Sequence, residues 1–196
     1  MDYYLYFGIF FFFNKNFACR SIFLMALVDM EMDSSSFPSS SSIATARWNY
    51  DVFLNFRGED TRYNFVGHLY EALRQKGIHT FKDDKNLDRG KPISLELLKA
   101  IEESRFAIVI ISKDYAFSAW CLDELAHIIH CKKEMAMTIL PVFHYVDPSD
   151  IRNQMGTFEQ AFIEHEKKEN KVRVEKWRDA LREVGNLAGC HLKNTR

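Results

Sequence analysis

Tyr50-Asp51-Val52-Phe53-Leu54-Asn55-Phe56-Arg57-Gly58-Glu59-Asp60-Thr61-Arg62 is a strand that runs into a tight, charged turn and then into a helix. Val52, Leu54 and Phe56 alternate with Asp51, Phe53 and Asn55, and the β-branched and aromatic content favours a strand over a helix. Gly58 lets the backbone turn, and Asp60 or Thr61 is placed to cap the following helix. Arg57 then stands at the mouth of a strand-to-helix crossing, where open α/β sheets bind their ligands.

The unit repeats along the chain. Phe65, Leu69, Ala72 and Leu73 share one face of a helix predicted over residues 61–76, which Gly77 ends. Residues 78–81 read as a second strand, followed by a polar loop over 82–92 that is too long to be a mere connector. Ile93, Leu97, Ala100 and Ile101 mark a second amphipathic helix, and the continuous apolar run 106–111 is a strand covered on both faces. After a loop over 112–117, Ser118 is a cap, and Leu122, Leu125, Ala126 and Ile129 form the stripe of a third helix. Residues 138–146 are a further strand, where Pro141 removes a ladder donor and predicts a bulge or irregular pairing. Asp147-Pro148 signals a helix start, and Thr157-Phe158-Glu159-Gln160 reads as a capping box. Val174, Trp177, Leu181 and Val184 line a last helix that ends near Gly185 or Gly189.

Strands alternating with helices imply an α/β fold with a flavodoxin-like, doubly wound parallel sheet of four to five strands flanked by helices. In that strand order the connections reverse direction between the first and third strands. The loops there would bring Arg57, Arg89, Ser118, Trp120 and Glu124 to one crevice.

Outside this body, residues 1–32 are an apolar leader, broken by Asn14-Lys15-Asn16 and Arg20. Its longest clean run, residues 3–13, is far below the roughly 20 residues that span a bilayer, and it lacks the basic start and cleavage site of a secretory signal. A membrane-associating leader, a targeting segment and translation from a start upstream of the authentic one are the three readings. Met25, Met30 and Met32 favour the last. Residues 33–47 are Ser-rich, with Pro38 and no apolar period, and are expected to be a disordered linker. The folded domain is residues 48–196.

A formal net charge of -1 with 27% charged residues provides no bulk field toward nucleic acid or acidic lipid, so neither is an expected partner. Cys19, Cys121, Cys131 and Cys190 show no paired spacing, which points to reduced thiols in a cytoplasmic setting. The nucleus is an open alternative, and the leader leaves membrane association open. His127, His130 and Cys131 have helical spacing but no fourth ligand, so no metal is assigned. The run 165–178 mixes Glu with Lys and Arg and reads as a solvated helix surface.

These segments together resemble a Toll/interleukin-1 receptor (TIR) domain of the plant disease-resistance type. The opening stretch matches that family's first motif, with Asn55 where serine is usual, and residues 81–90 resemble its long second-strand loop. Ser118-Ala119-Trp120-Cys121-Leu122-Asp123-Glu124-Leu125 and Pro141-Val142-Phe143-His144-Tyr145-Val146-Asp147-Pro148-Ser149 match two further blocks. Four motifs in order are far more specific than any one of them.

The resemblance implies an enzyme that cleaves NAD+ without a separate cofactor and acts by self-association in plant innate immunity. Glu124 aligns with the family's catalytic glutamate, while Phe56, Arg57, Arg89, Gly90, Ser118 and Trp120 would surround the substrate. Phe65, Gly67 and His68 fall where the family's commonest self-association surface lies, Gly67 standing in for a serine. The product, linear or cyclic ADP-ribose, is open. The family's final amphipathic helix is expected to be missing, since Gly189-Cys190-His191 replaces its usual Gly-Trp-His and the sequence stops at Arg196. That departure favours the alternative function, a non-catalytic adaptor or decoy that binds other TIR domains. A phosphate-accepting receiver domain is disfavoured, because Asp51 begins rather than ends its strand.

Overall fold

The computed structural model describes residues 48–83 and 95–193. Its strands are β1 (Tyr50–Phe56), β2 (Thr80–Lys82), β3 (Ser104–Ile111), β4 (Thr138–His144) and β5 (Cys190–Leu192). They form one sheet in the order β2-β1-β3-β4-β5, with every neighbouring pair parallel. This is the flavodoxin-like order, and its reversal point falls between β1 and β3 as expected.

The helices are α1 (Gly58–Thr61), α2 (Phe65–Gln75), α3 (Leu95–Glu102), α4 (Ala119–Met135), α5 (Pro148–Asn153), α6 (Thr157–Lys168) and α7 (Lys171–Gly185). The single helix predicted over 61–76 is therefore split in two. Asn64 breaks it, because its side chain accepts the Phe65 N–H and caps α2. Neither Asp60 nor Thr61 caps α1; Asp60 binds Arg57 and Ser112, and the Thr61 hydroxyl donates to Arg57 O at 3.2 Å. Gly77 closes α2 with φ +75°, as a residue without Cβ can. Ser118 and Asp147 act as the predicted caps, accepting the N–H groups of Cys121 and Ser149.

Each face of the sheet carries its own core. Val52, Leu54 and Phe56 of β1 and Phe106, Ile108 and Ile110 of β3 pack with Val66, Leu69 and Leu73 of α2. Phe53, Ala107, Val109 and Ile111 face the other way, toward Leu97, Leu122, Leu125, Phe162 and Trp177 of α3, α4, α6 and α7. The period of two in β1 thus sorts residues between two buried faces, and Asn55 falls on the α4 side.

Three further expectations need correction. Pro141 causes no bulge: β3 and β4 stay in register from Phe106↔Thr138 to Ile111↔Phe143. Its carbonyl faces Gly189, where a Cβ would come within 2.5 Å of Pro141 O. The ring nitrogen faces that same side, just before the pairing with β5 begins at Val142↔Cys190, so no ladder bond is lost. The capping box at Thr157 does not form, since Gly156 is the N-cap and the Thr157 hydroxyl donates to Lys113 O at 2.7 Å. Cys121 and Cys131 are free thiols, but Cys190 is disulfide-bonded, which the unpaired cysteine spacing did not signal.

Ile110 is fully buried at the centre of β3. Truncation to alanine leaves a cavity in a close-packed layer, so Ile110→Ala is expected to destabilise the fold by about 2–5 kcal/mol. A urea melt measures the loss, and an unchanged midpoint would contradict this packing.

Candidate active site

Asn55 is the penultimate residue of β1 and is fully buried, a costly place for an amide unless its hydrogen bonds are satisfied. Its Nδ2 donates to Glu124 Oε2 at 2.8 Å and lies 3.5 Å from Cys121 O. Tyr115 Oη donates to its Oδ1 at 2.5 Å and is also 3.0 Å from Cys121 O. The amide is oriented by this surrounding: a carbonyl and a carboxyl face its nitrogen, and a phenol faces its oxygen. Tyr115 sits in a 3₁₀ turn, Tyr115–Phe117, between β3 and α4. Glu124 lies in the second turn of α4, which Ser118 caps.

Cys121 Sγ donates to Phe56 O at 3.4 Å, a second tie between the start of α4 and the end of β1. Ser112, just after β3, donates to Asp60, whose carboxylate also pairs with Arg57. The turns that follow the two central strands are thereby cross-linked at the reversal point of the sheet.

Glu124 is 8% exposed, and burial pushes its carboxyl up to about 8. The Asn55 bond pulls the other way by favouring the charged form, while the negative charges of Asp83 and Asp123 push upward again. Burial also raises the Tyr115 phenol and the Cys121 thiol, so both stay neutral donors near pH 7. Glu124 Oε1 receives no bond from the described residues. Since none of their buried side-chain nitrogens or oxygens is left unsatisfied, Oε1 is the oxygen that meets solvent.

The predicted residues fall as follows. Glu124, Ser118 and Trp120 come together in the first two turns of α4, with Trp120 half-buried. Phe56 contributes its carbonyl, while its ring packs on the opposite, α2 face under Arg62. Arg57 follows β1, is ion-paired with Glu59 and Asp60, and its charge acts on the nearby Cys121 thiol. Arg89 and Gly90 lie outside the described residues. On α2, Phe65 stacks obliquely on His144 at 5.4 Å, His68 is exposed, and a Cβ on Gly67 would lie 3.1 Å from Arg62 O, which crowds a serine there.

Two participants were missed from sequence, Asn55 as a hydrogen-bond donor and Tyr115. For Asn55 a signal existed: a polar side chain in the middle of an apolar strand, at the motif's one departure. Tyr115 carried none, because a tyrosine in a loop has no period. Away from this crevice, a polar cleft of about 690 Å³ lies between α5, α6 and α7, lined by Arg152, Gln154, Glu159, Arg178 and Arg182. Arg178 is bound there to Gln154 and Glu166, and Arg182 to Asp179.

Comparison with known proteins finds one family along most of the chain. Residues 49–196 match the sequence profile of the TIR domain. The TMV resistance protein N of Nicotiana glutinosa is 54% identical over 152 residues, covering 76% of this chain and 13% of that protein. The disease resistance protein RPV1 of Vitis rotundifolia is 52% identical over 168 residues, covering 83% of this chain and 12% of that protein. The chain thus spans only about an eighth of the length of these relatives. Among solved structures, a TIR domain of the activated Roq1 resistosome, which directly recognises the effector XopQ, matches with a TM-score of 0.68 and 53% identity. The match covers 75% of this chain and 90% of that one.

The raised carboxyl links stability to pH. Between the ordinary glutamate value of 4.5 and about 8 the folded state holds a proton that the unfolded state has released, so stability falls as pH rises across that window. Chemical denaturation from pH 4.5 to 8 is expected to show this slope, and Glu124→Gln should flatten it. An equal slope in both proteins would mean that Glu124 is not the group responsible.

Proposed function

The chain belongs to the TIR-domain family, and from that premise we propose that it is an NAD+ nucleosidase of plant innate immune signalling, working through TIR–TIR association. The observation that supports this most is the Glu124 carboxyl, held by Asn55 at the reversal point with one oxygen turned toward solvent.

In the proposed reaction the bond between nicotinamide and ribose C1′ breaks, and its electron pair neutralises the pyridinium nitrogen. The positive charge passes to the ribose as an oxocarbenium-like centre. A carboxylate against that sugar stabilises the charge as it develops. The leaving group is already cationic and needs no strong acid. Water then adds at C1′, gives ADP-ribose and releases a proton; capture by a group of the same molecule gives a cyclic product instead.

Glu124 enters this scheme mostly protonated near neutral pH, because burial lifts its carboxyl to about 8. The cationic nicotinamide riboside half of NAD+ favours the ionised form and draws the proton off on binding. Substrate charge and Glu124 ionisation are therefore coupled. Trp120 would wall the nucleotide. Arg57 would have to leave Glu59 or Asp60 to reach a phosphate; by the family resemblance, Arg89 would face the phosphates or ribose.

That commitment of Arg57 to two carboxylates supports the second reading, a non-catalytic adaptor or decoy that binds other TIR domains. Phe65, Gly67 and His68 of α2 would supply its association surface. In either reading the proposed place of action is the cytoplasm, with the nucleus as the alternative and membrane association through the leader left open.

The test is nicotinamide release from NAD+ at high protein concentration. Glu124→Ala should lower kcat at least about 100-fold, and kcat/KM of the unsubstituted chain should rise with pH toward a plateau above about 8. Equal release from both proteins would remove Glu124 from its role. No release from either, with binding to a receptor TIR domain retained, would establish the adaptor.

A further inference from the structure

We propose that Asn55, oriented by Tyr115, is the positioning residue of this site: its amide holds Glu124 Oε2 so that Oε1 is presented to the ribose. The inference rests on the nucleosidase reading for its catalytic consequence, but its structural half is independent of turnover.

A carboxyl at the end of a flexible side chain has two equivalent oxygens and several rotamers, and a reacting sugar must meet one of them in a defined place. In this chain one oxygen is fixed and the other is not. Asn55 Nδ2 reaches Oε2 at 2.8 Å, and no described residue bonds Oε1. Asn55 in turn cannot rotate, because Tyr115 Oη holds its Oδ1 at 2.5 Å and flipping the amide would turn its oxygen toward Glu124 and Cys121 O. Both Asn55 and Tyr115 are fully buried, so the chain from phenol to amide to carboxyl is shielded from competing water. Its anchor points lie on separate elements, β1, the 3₁₀ turn and α4, which makes it a device of the tertiary structure rather than of one helix.

The residue type matters. Asn55 stands where serine is usual in the resembled family, and a serine hydroxyl is shorter than an asparagine amide by about one bond length. At a fixed backbone it would fall short of Oε2. An asparagine both reaches the carboxyl and accepts from the phenol; it couples two side chains that a shorter donor would serve only in part. The bond also stabilises the charged form of Glu124 against burial, so it moves the carboxyl toward the ionised state that the chemistry uses. Other charged or titratable groups facing this cluster are Asp83 at the end of β2, Asp123 on α4 and the Cys121 thiol, with Arg57 and Asp60 adjoining Cys121. None of them is altered in the test.

The test follows the Glu124 carboxyl by carbon-13 NMR titration of the full chain, assigned with Glu124→Gln, beside NAD+ kinetics. Asn55→Leu should raise the Glu124 midpoint by about one pH unit, the weight of one hydrogen bond to a charged group, and lower kcat about tenfold with KM little changed. Tyr115→Phe should move both readouts the same way by less, and Asn55→Ser should fall between Asn55→Leu and the unsubstituted chain. If Asn55→Leu does not fold, Tyr115→Phe and Asn55→Ser decide the matter. Folded variants with the Glu124 titration of the unsubstituted chain would overturn the proposal, as would a shifted titration without any change in kcat. A chain that releases no nicotinamide would sink the nucleosidase reading alone, and the titration would still decide whether Asn55 holds the carboxyl.

Discussion

Burying a carboxyl removes its hydration, and the 2.8 Å hydrogen bond from Asn55 to Glu124 is the interaction that makes the burial tolerable here. It joins the end of β1 to the second turn of α4. The sheet order makes the bond possible, because β1 and β3 are neighbours while the chain leaves them in different directions. Asn55 pairs in register with Val109, two residues before β3 ends, so the turn that follows β3 starts beside it. The outer helices brace this arrangement from behind. His165 of α6 holds Ala116 O at 2.8 Å, next to Tyr115, and Trp177 of α7 donates to Asp123 at 2.8 Å, next to Glu124. Arg173 adds an ion pair to the same aspartate. The two acidic neighbours on α4 thus do different work: Asp123 fastens the helix to α7, and Glu124 faces the crevice.

Burial and this bond together set the ionisation of the carboxyl. A carboxyl that burial pushes up to about 8 is neither the solvated surface group its place early in a helix would suggest nor a permanent anion. Its ionisation responds to whatever charge enters the crevice. A ligand carrying positive charge on its sugar side is favoured there, whereas a ligand that brought its negative phosphates to Glu124 would hold the proton in place. In the proposed reaction, charge would therefore orient the dinucleotide, with the nicotinamide end toward Glu124 and the phosphates toward the turn that bears Arg57.

Strong local signals made the strand order and most elements legible in the sequence. The apolar run of β3, the period of two in β1 and the caps at Ser118 and Asp147 all led to elements in the expected places. What failed depended on tertiary context. Asn64 split a helix whose apolar spacing looked continuous, and Pro141 met no partner that needed its missing N–H. The run 165–178 read as a solvated surface apart from the stripe of Val174 and Trp177, yet His165 of α6 is buried as well. A three-residue strand such as β5 is too short to show any period. The placement of Ser118, Trp120 and Glu124 at the start of the α4 helix and of Arg57 just after β1 was legible from motif and topology. The asparagine that holds the glutamate was visible only as a departure from a motif, and the tyrosine that orients the asparagine was not visible at all, since a contact between a loop and a strand leaves no pattern in either.

The central claim is that Glu124 Oε1 faces the ribose of a dinucleotide at the reversal point of the sheet. A crystal structure of the Glu124→Gln protein with NAD+ tests it most directly. The account predicts the nicotinamide ribose within hydrogen-bond reach of the substituted side chain, with Trp120 beside the nucleotide. NAD+ bound instead in the cleft between α5, α6 and α7, or with its ribose turned away from α4, would contradict it.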